Sequence, residues 1–430
     1  VRVTADATQR GNSTRALLWT LLVVYIFNFL DRQIVNILAE PIKNDLGLSD
    51  TQIGLMTGLA FALFYTVLGI PIARYADRPK SNRVGIISVS LAIWSGMTVL
   101  CGLAQNYAQL LAARIGVGVG EAGCTPAAMS LITDAVPAEK RSSAIAFYGL
   151  GVPIGSLLGM VVGGALYDAY GWRTAFMVVG LPGVVMAALI LLVLKDPRKL
   201  GLRATIATPA PTPNALGFFE AMAEIGKSRA FVLLAIGASI TAFLAYGKTT
   251  WAAILFIRNY GLSPGEAGTV LGVFIGLAGV FGTWFGGWLA DRWGRTDKRH
   301  ILTGPAIAMT VAAPLLFLGY YQTDWVWAVA ILTLPTILNS MYYGPTYGLV
   351  QGLVRPEARA TATSIMLFCQ NLIGLGLGPL LFGMMSDAFK PMAGEDSVRW
   401  VLYGASWLGL IPALFFFLAS RRLSADLKSA

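Results

Sequence analysis

The chain predicts an all-α membrane protein of twelve transmembrane helices, arranged as two pseudo-symmetric six-helix bundles with both termini cytoplasmic. Three observations lead there. Of 430 residues, 56% are hydrophobic and 13% are charged, with a mean hydropathy of +0.66, whereas a soluble domain carries about 25% charged residues. Positive charge alternates from loop to loop, and the two halves of the sequence repeat.

The first apolar run, Leu17 to Leu30, follows Arg10 and Arg15 as a signal peptide would. No small-x-small cleavage site comes after it and the pattern continues to Ala39, so it reads as an uncleaved span. The second run leads into a basic loop ending at Arg83, and the third is Val84 to Ala104. The fourth contains Arg114 and Glu121. The fifth is rich in small residues (Gly149, Gly151, Pro153, Gly155, Gly159, Gly163 and Gly164), and the sixth is Ala175 to Leu194. Each is near the roughly 20 residues a helix needs to cross a bilayer. The stretch from Lys195 to Arg229 holds Asp196-Pro197, a Thr-Pro cluster from Thr208 to Pro213 and six basic residues. It reads as a cytoplasmic linker, with Leu216 to Ile225 forming an amphipathic helix on the inner membrane face. The domains are therefore 1–194, a linker 195–229, and 230–430. Beyond it, the seventh run carries Lys248 and the eighth ends in the loop at Gly287. The tenth holds Asn339, Tyr342 and Tyr343, the eleventh Gln370 and Asn371, and the twelfth is Val401 to Ala419.

The net charge of +10 is explained by placement. Segments alternating with the N-terminus hold 24 of the 32 Lys and Arg, and the opposite loops hold 5 (Lys43, Arg173, Arg258, Lys390 and Arg399). That bias orients both termini inward. It reports topology and anionic membrane lipids, and no nucleic-acid partner is expected. The three cysteines, Cys101, Cys124 and Cys369, have no paired spacing and the one histidine, His300, lies in a loop. Disulfide scaffolds, structural zinc and haem are disfavoured, and no cofactor is expected.

The halves repeat at nearly one offset. Asp77 and Asp291, each followed by an arginine in a basic loop, are 214 residues apart; Arg141 and Arg359 are separated by 218, Asp168 and Asp387 by 219. Parallel repeats of this kind put a substrate site near the midplane between halves. The loop Gly287-Trp-Leu-Ala-Asp291-Arg292-Trp-Gly294-Arg295 matches G-x-x-x-D-R-x-G-R in full, while the first copy has Ala73 for Gly and Ser81 for the basic residue. By this motif the chain resembles a major facilitator superfamily transporter over essentially its whole length. Asn28-Phe-Leu-Asp31-Arg32-Gln33, with Arg114-Ile-Gly-Val-Gly-Val-Gly-Glu121-Ala122, is similar to its spinster branch. That resemblance implies the superfamily fold and proton-linked export of lysolipids, sphingosine phosphate or related amphiphiles.

The intramembrane charges carry the functional expectation. Each costs about 2.5 to 3.5 kcal/mol at a helix centre even on the lenient insertion scale, and is by default a working site. Arg114 and Glu121, seven apart, project within roughly 20° of each other and about 10 Å along one helix face. Gly116 and Gly120 between them allow a close neighbour, expected to be helix 1 with Asp31. The expected proton relay uses Asp31 as the main protonation site, Glu121 as a second carboxylate and Arg114 as the cation whose partner changes. A permanent Asp31–Arg114 bridge holding helices together is the structural alternative. Arg32 points about 100° from Asp31, toward an anionic headgroup or a static ion pair. Lys248 falls at the repeat equivalent of Asp31 and Arg32, either contacting substrate or snorkelling. Tyr246, Thr249, Asn339, Tyr342, Gln370 and Asn371 are candidates for the substrate wall, and Asp77, Arg78, Arg83, Asp291, Arg292 and Arg295 for gating.

The expected function is proton-coupled transport, by antiport and alternating access, of an amphiphilic or lipid-like molecule; a small organic anion or multidrug transporter is the alternative. A membrane enzyme would want a nucleophile beside a base, and no span has a serine or cysteine beside a histidine. No G-x-x-x-x-G-K-[ST] loop occurs, so ATP is not the driver. A ligand-sensing receptor without flux is the further alternative. A monomer in a bacterial inner membrane is expected.

Overall fold

The structure is a computed structural model; it describes residues 14–429 apart from 79, 138–139, 197, 199–217, 351 and 356–357. Among the described residues it is helical throughout, with no strand. Ten helical segments are long and apolar enough to cross a membrane. They are α1 (Thr14–Leu46), α2 (Asp50–Ala76), α3 (Arg83–Leu103), α4 (Tyr107–Ala135) and α5 (Ser143–Val193). After the short amphipathic helix α6 (Phe218–Lys227) come α7 (Arg229–Arg258), α8 (Pro264–Trp293), α9 (His300–Tyr321), α10 (Trp325–Val350) and α11 (Thr361–Leu427). Two of these exceed any bilayer: α5 has 51 residues and α11 has 67, against roughly 20 per crossing. Each contains one glycine in the left-handed region, Gly171 at φ 79° and Gly394 at φ 57°, a conformation that a residue with a Cβ adopts only at a cost. The linker helix is observed at Phe218–Lys227, two residues along from its expected position.

Local signals in the sequence account for the helix starts. Ser49 and Gln52 form a capping box at α2, and Ser263 and Glu266 exchange the same pair of bonds at α8, each satisfying backbone N–H groups that a helix leaves open. The two boxes are 214 residues apart, the repeat offset of Asp77 and Asp291. Asn106, Ser228 and Asp324 cap α4, α7 and α10 through their side chains. Both α2 and α8 then pass through a π-helical turn, Leu55–Leu59 and Leu271–Ile275.

The chain forms two compact units. The first comprises Val1–Leu48, Ala60–Ala207 and Ser263–Thr269. Here α5 lies against α1 and α3 over long stretches, and its glycines make this possible. A Cβ at Gly159 would stand 2.7 Å from the Leu30 carbonyl and 2.8 Å from Gln33 Cβ, so the backbones meet where side chains would otherwise hold them apart. The second unit comprises Ser49–Leu59, Thr208–Leu262 and Val270–Ala430, with a core including Phe231, Leu234, Met309, Val350, Met366 and Phe416. The first unit thus includes the first turns of α8, and the second unit those of α2. Repeat-related carboxylates hold those turns. Asp168 accepts from the Ser263 hydroxyl (2.7 Å) and the Gly265 N–H (3.1 Å) in the first unit. Asp387 accepts from the N–H groups of Asp50 (3.1 Å) and Thr51 (2.7 Å) and from the Thr51 hydroxyl (2.6 Å) in the second. A carboxylate at a helix N-terminus is stabilised by the open N–H groups and the helix dipole together.

Candidate functional site

The charged residues of the first unit converge inside it. Asp31, Arg114 and Glu121 are buried, at 2%, 2% and 0% exposure. They are brought in by the buried faces of α1 and α4. Glu121 makes its ion pair with Arg32, not with Arg114: its Oε2 accepts from Arg32 Nε at 2.7 Å, so Arg32 is held in the static ion pair that is one of its two expected roles. The Arg32 guanidinium also lies over three aromatic rings, 4.4 Å from the Tyr65 centroid, 4.9 Å from Phe61 and 5.1 Å from Phe29. Arg114 approaches Phe61 as well, at 5.4 Å. A guanidinium on a ring face retains cation–π attraction where water is excluded.

Among the described residues, Asp31 and Arg114 are not joined by a hydrogen bond or an ion pair. Asp31 Oδ1, Arg114 Nε and Nη1, Glu121 Oε1 and Asn28 Oδ1 are all buried without a hydrogen-bond partner. Buried polar atoms are almost always satisfied, and five exceptions fall in this one cluster. The glycine expectation needs correction. Gly116 and Gly120 face Met97 and Trp94 of α3, and Gly118 faces the Phe61 carbonyl of α2. Helix α1 is not their neighbour. Periodicity placed these glycines on a close-packed face but carried no information on which helix would fill it.

In the second unit, Lys248 is partly exposed on α7, and among the described residues no side chain forms an ion pair with it. Thr249 donates to the Ala245 carbonyl of its own helix at 2.9 Å, and Tyr246 and Gln370 stand on facing helices that contact each other. Gln370 accepts from the Tyr347 hydroxyl at 2.6 Å while its own amide nitrogen is buried without a partner. Tyr342 is buried in the core against Phe416 and Tyr343, a packing position; Asn339 and Asn371 are partly exposed. The residues that sequence reasoning missed are Phe61, Tyr65 and Tyr347. Aromatics are common in membrane helices, and only their distance to Arg32 or Gln370 distinguishes these three.

The basic-loop residues do different things. Arg83 is fully buried: its Nε and Nη2 bond Asp196 at 3.1 and 2.6 Å, and its Nη1 bonds Asp134 at 2.6 Å and the Ser130 carbonyl at 2.9 Å. Arg198 reaches the carbonyls of Ala76 and Arg78, both at 3.2 Å, and Asp134 at 2.8 Å. The start of the linker is thereby tied to the ends of α2, α3 and α4. Burial disfavours the charged form of Asp196, but the Arg83 side chain and the Arg83 and Arg198 backbone N–H groups outweigh it and hold the carboxyl below its ordinary value. Asp77 and Asp291 cap no helix: the N-cap position of α3 is Asn82, and Arg78 and Arg292 lie on the rings of Tyr75 and Trp288, at 5.7 Å in both cases. Arg295 is exposed.

A sequence model of the Major Facilitator Superfamily matches residues 21–379. An MFS-type efflux pump of Mycolicibacterium smegmatis is 34% identical over 414 residues, which is 96% of this chain and 94% of that protein. Protein spinster homolog 1 of Xenopus tropicalis is 26% identical over 95% of this chain and 81% of its own. Among solved structures, a bacterial homologue of the human lysosomal transporter Spinster, in an inward-facing and unoccupied conformation, superposes with a TM-score of 0.87 at 33% identity. It covers 96% of this chain and 98% of that one.

Proposed function

The chain belongs to the Major Facilitator Superfamily and is a membrane transporter of spinster type, not an enzyme; from that premise we propose that it is a proton-coupled antiporter exporting an amphiphilic, lipid-like molecule. The observation that carries the proposal is the buried cluster of the first unit, where two carboxylates and two guanidiniums share one ion pair and leave several polar atoms open. Protonation of Glu121 removes the charge that holds Arg32, freeing a guanidinium for an anionic headgroup. Asp31, one residue from Arg32 in the chain and unpaired with Arg114, is the site where a proton is taken up on one side and released on the other. Arg114 supplies the positive charge that favours release. One proton moving down 100 mV carries about 2.3 kcal/mol, enough for roughly a fiftyfold gradient of a neutral substrate.

Lys248, with Tyr246 on its own helix and Gln370 and Tyr347 of the second unit, adds a cation and hydroxyl groups for a substrate's polar end; Thr249, Asn339 and Asn371 complete that wall. The same cations favour a second reading, in which the substrate is a small organic anion. Twelve crossings follow if α5 and α11 each cross twice, turning at Gly171 and Gly394, with both termini inward in a bacterial inner membrane. Asp77, Asp291 and their arginines act in gating in states where the loops approach other helices. The similarity to an efflux pump supports export. The test is proton flux in proteoliposomes offered lysolipids, sphingoid phosphates and organic anions, comparing the native chain with Asp31→Asn. Substrate-triggered proton movement lost in Asp31→Asn is expected. Substrate moving equally in both proteins without protons would overturn the relay.

A further inference from the structure

Where α7 begins and α11 ends, the second unit has a groove of about 500 Å³ that plays no part in the transport cluster. Three arginines line it, Arg229, Arg421 and Arg422, over an apolar floor of Val232, Leu233 and Leu418. Val232 and Leu418 are 39% and 38% exposed, whereas Leu234 and Phe416 on the same helices are fully buried. The groove is therefore on the outer surface of the unit, at the ends of two apolar helices, where lipid headgroups meet acyl chains.

No ion pair engages any of the three arginines among the described residues. Arg421 lies 5.1 Å over the Phe417 ring, which orients it without neutralising it. Two carboxylates lie near the groove, and neither forms an ion pair with its arginines among the described residues. Asp426 accepts from the Ser228 hydroxyl (3.0 Å) and the Ala230 N–H (2.7 Å), and Glu224 is shared by Lys227 (2.8 Å) and Arg355 (3.1 Å). Three positive charges thus stand together beside an apolar surface, and the Asp426 carboxylate next to Arg229 leaves the groove net positive. That pairing of a basic rim and an apolar floor at a helix end matches an anionic phospholipid, whose phosphate meets the arginines while its acyl chain covers the floor.

We propose that this groove binds one anionic phospholipid of the adjoining leaflet, the inner one if both termini are inward. The guanidiniums hold the phosphate by charge-assisted hydrogen bonds, and Val232, Leu233 and Leu418 line the first part of an acyl chain. A soluble phosphate would use only the first of these contacts.

The experiment is native mass spectrometry of the full chain released from detergent with added phosphatidylglycerol or phosphatidylcholine. The native protein is expected to retain one phosphatidylglycerol in preference to phosphatidylcholine. At roughly fivefold in affinity per arginine, the triple change Arg229→Gln, Arg421→Gln and Arg422→Gln should lower phosphatidylglycerol retention by on the order of a hundredfold. Leu233→Trp, which fills the floor and keeps every charge, should also reduce it. A control removing three exposed charges elsewhere (Lys298→Gln, Arg299→Gln and Arg359→Gln) should retain the lipid. Equal retention by the first triple variant and the native chain would overturn the proposal, as would equal loss in the control. Displacement of the lipid by equimolar glycerol phosphate would show a phosphate site instead of a lipid site and would overturn it too.

Discussion

Glu121→Gln tests the one ion pair inside the transport cluster. Glu121 is fully buried and Arg32 is 12% exposed, with a single bond of 2.7 Å between them. Removing one partner of a buried pair costs about 3–5 kcal/mol, because the other charge is left without its counter-ion. The three rings around Arg32 retain part of its stabilisation at roughly 0.5–2 kcal/mol each, which places Glu121→Gln near 3 kcal/mol. Arg32→Gln loses those ring contacts and strands Glu121, so about 4 kcal/mol is expected. The double variant strands neither charge and loses mainly the ring contacts, about 2–3 kcal/mol by the same estimates. The singles therefore sum to about 4–5 kcal/mol more than the double. Unfolding in mixed SDS micelles at neutral pH, on all four proteins, reads this coupling. Additivity to within about 0.5 kcal/mol, as for independent sites, would refute the pair as an energetic unit.

Asp196→Asn should destabilise the first unit at neutral pH by about 2–4 kcal/mol, less than a full orphaning of Arg83 because Asp134 still bonds it. The folded-state pKa of Asp196 is lowered, so its contribution is complete above the ordinary carboxylate range and disappears as pH falls through the lowered value. Thermal unfolding in detergent should show that acid-side loss in the native chain and less of it in Asp196→Asn. Gly159→Val, which forces a side chain onto the Leu30 carbonyl, should cost about 1–3 kcal/mol, whereas Gly149→Ala, with open space around it, should leave the melting temperature unchanged. If both behave alike, close packing does not explain the glycine stripe. Lys248→Gln should raise the half-saturating concentration of an anionic amphiphile by about tenfold, one charge-assisted hydrogen bond's worth, and leave a neutral analogue unaffected; equal effects on both would remove Lys248 from headgroup recognition.

The helical membrane class, the repeat and the charged positions were legible in the sequence because each is a local property. Hydropathy over 20 residues, a loop motif repeated at a fixed offset, and an aspartate inside an apolar run are all visible without knowing any neighbour. The shared role of Asp168 and Asp387 was half visible, as a repeat without a contact. What the tertiary structure alone decided is pairing. Arg32 and Glu121 are 89 residues apart and Arg83 and Asp196 are 113 apart, and side-chain bonds over such distances follow from how helices cross. The same holds for Gly116 and Gly120, whose face was readable but whose partner, α3, was not. A helix's sequence states which side must be covered. Which helix covers it depends on the shapes of all the others, since packing energy belongs to pairs of surfaces and not to either one.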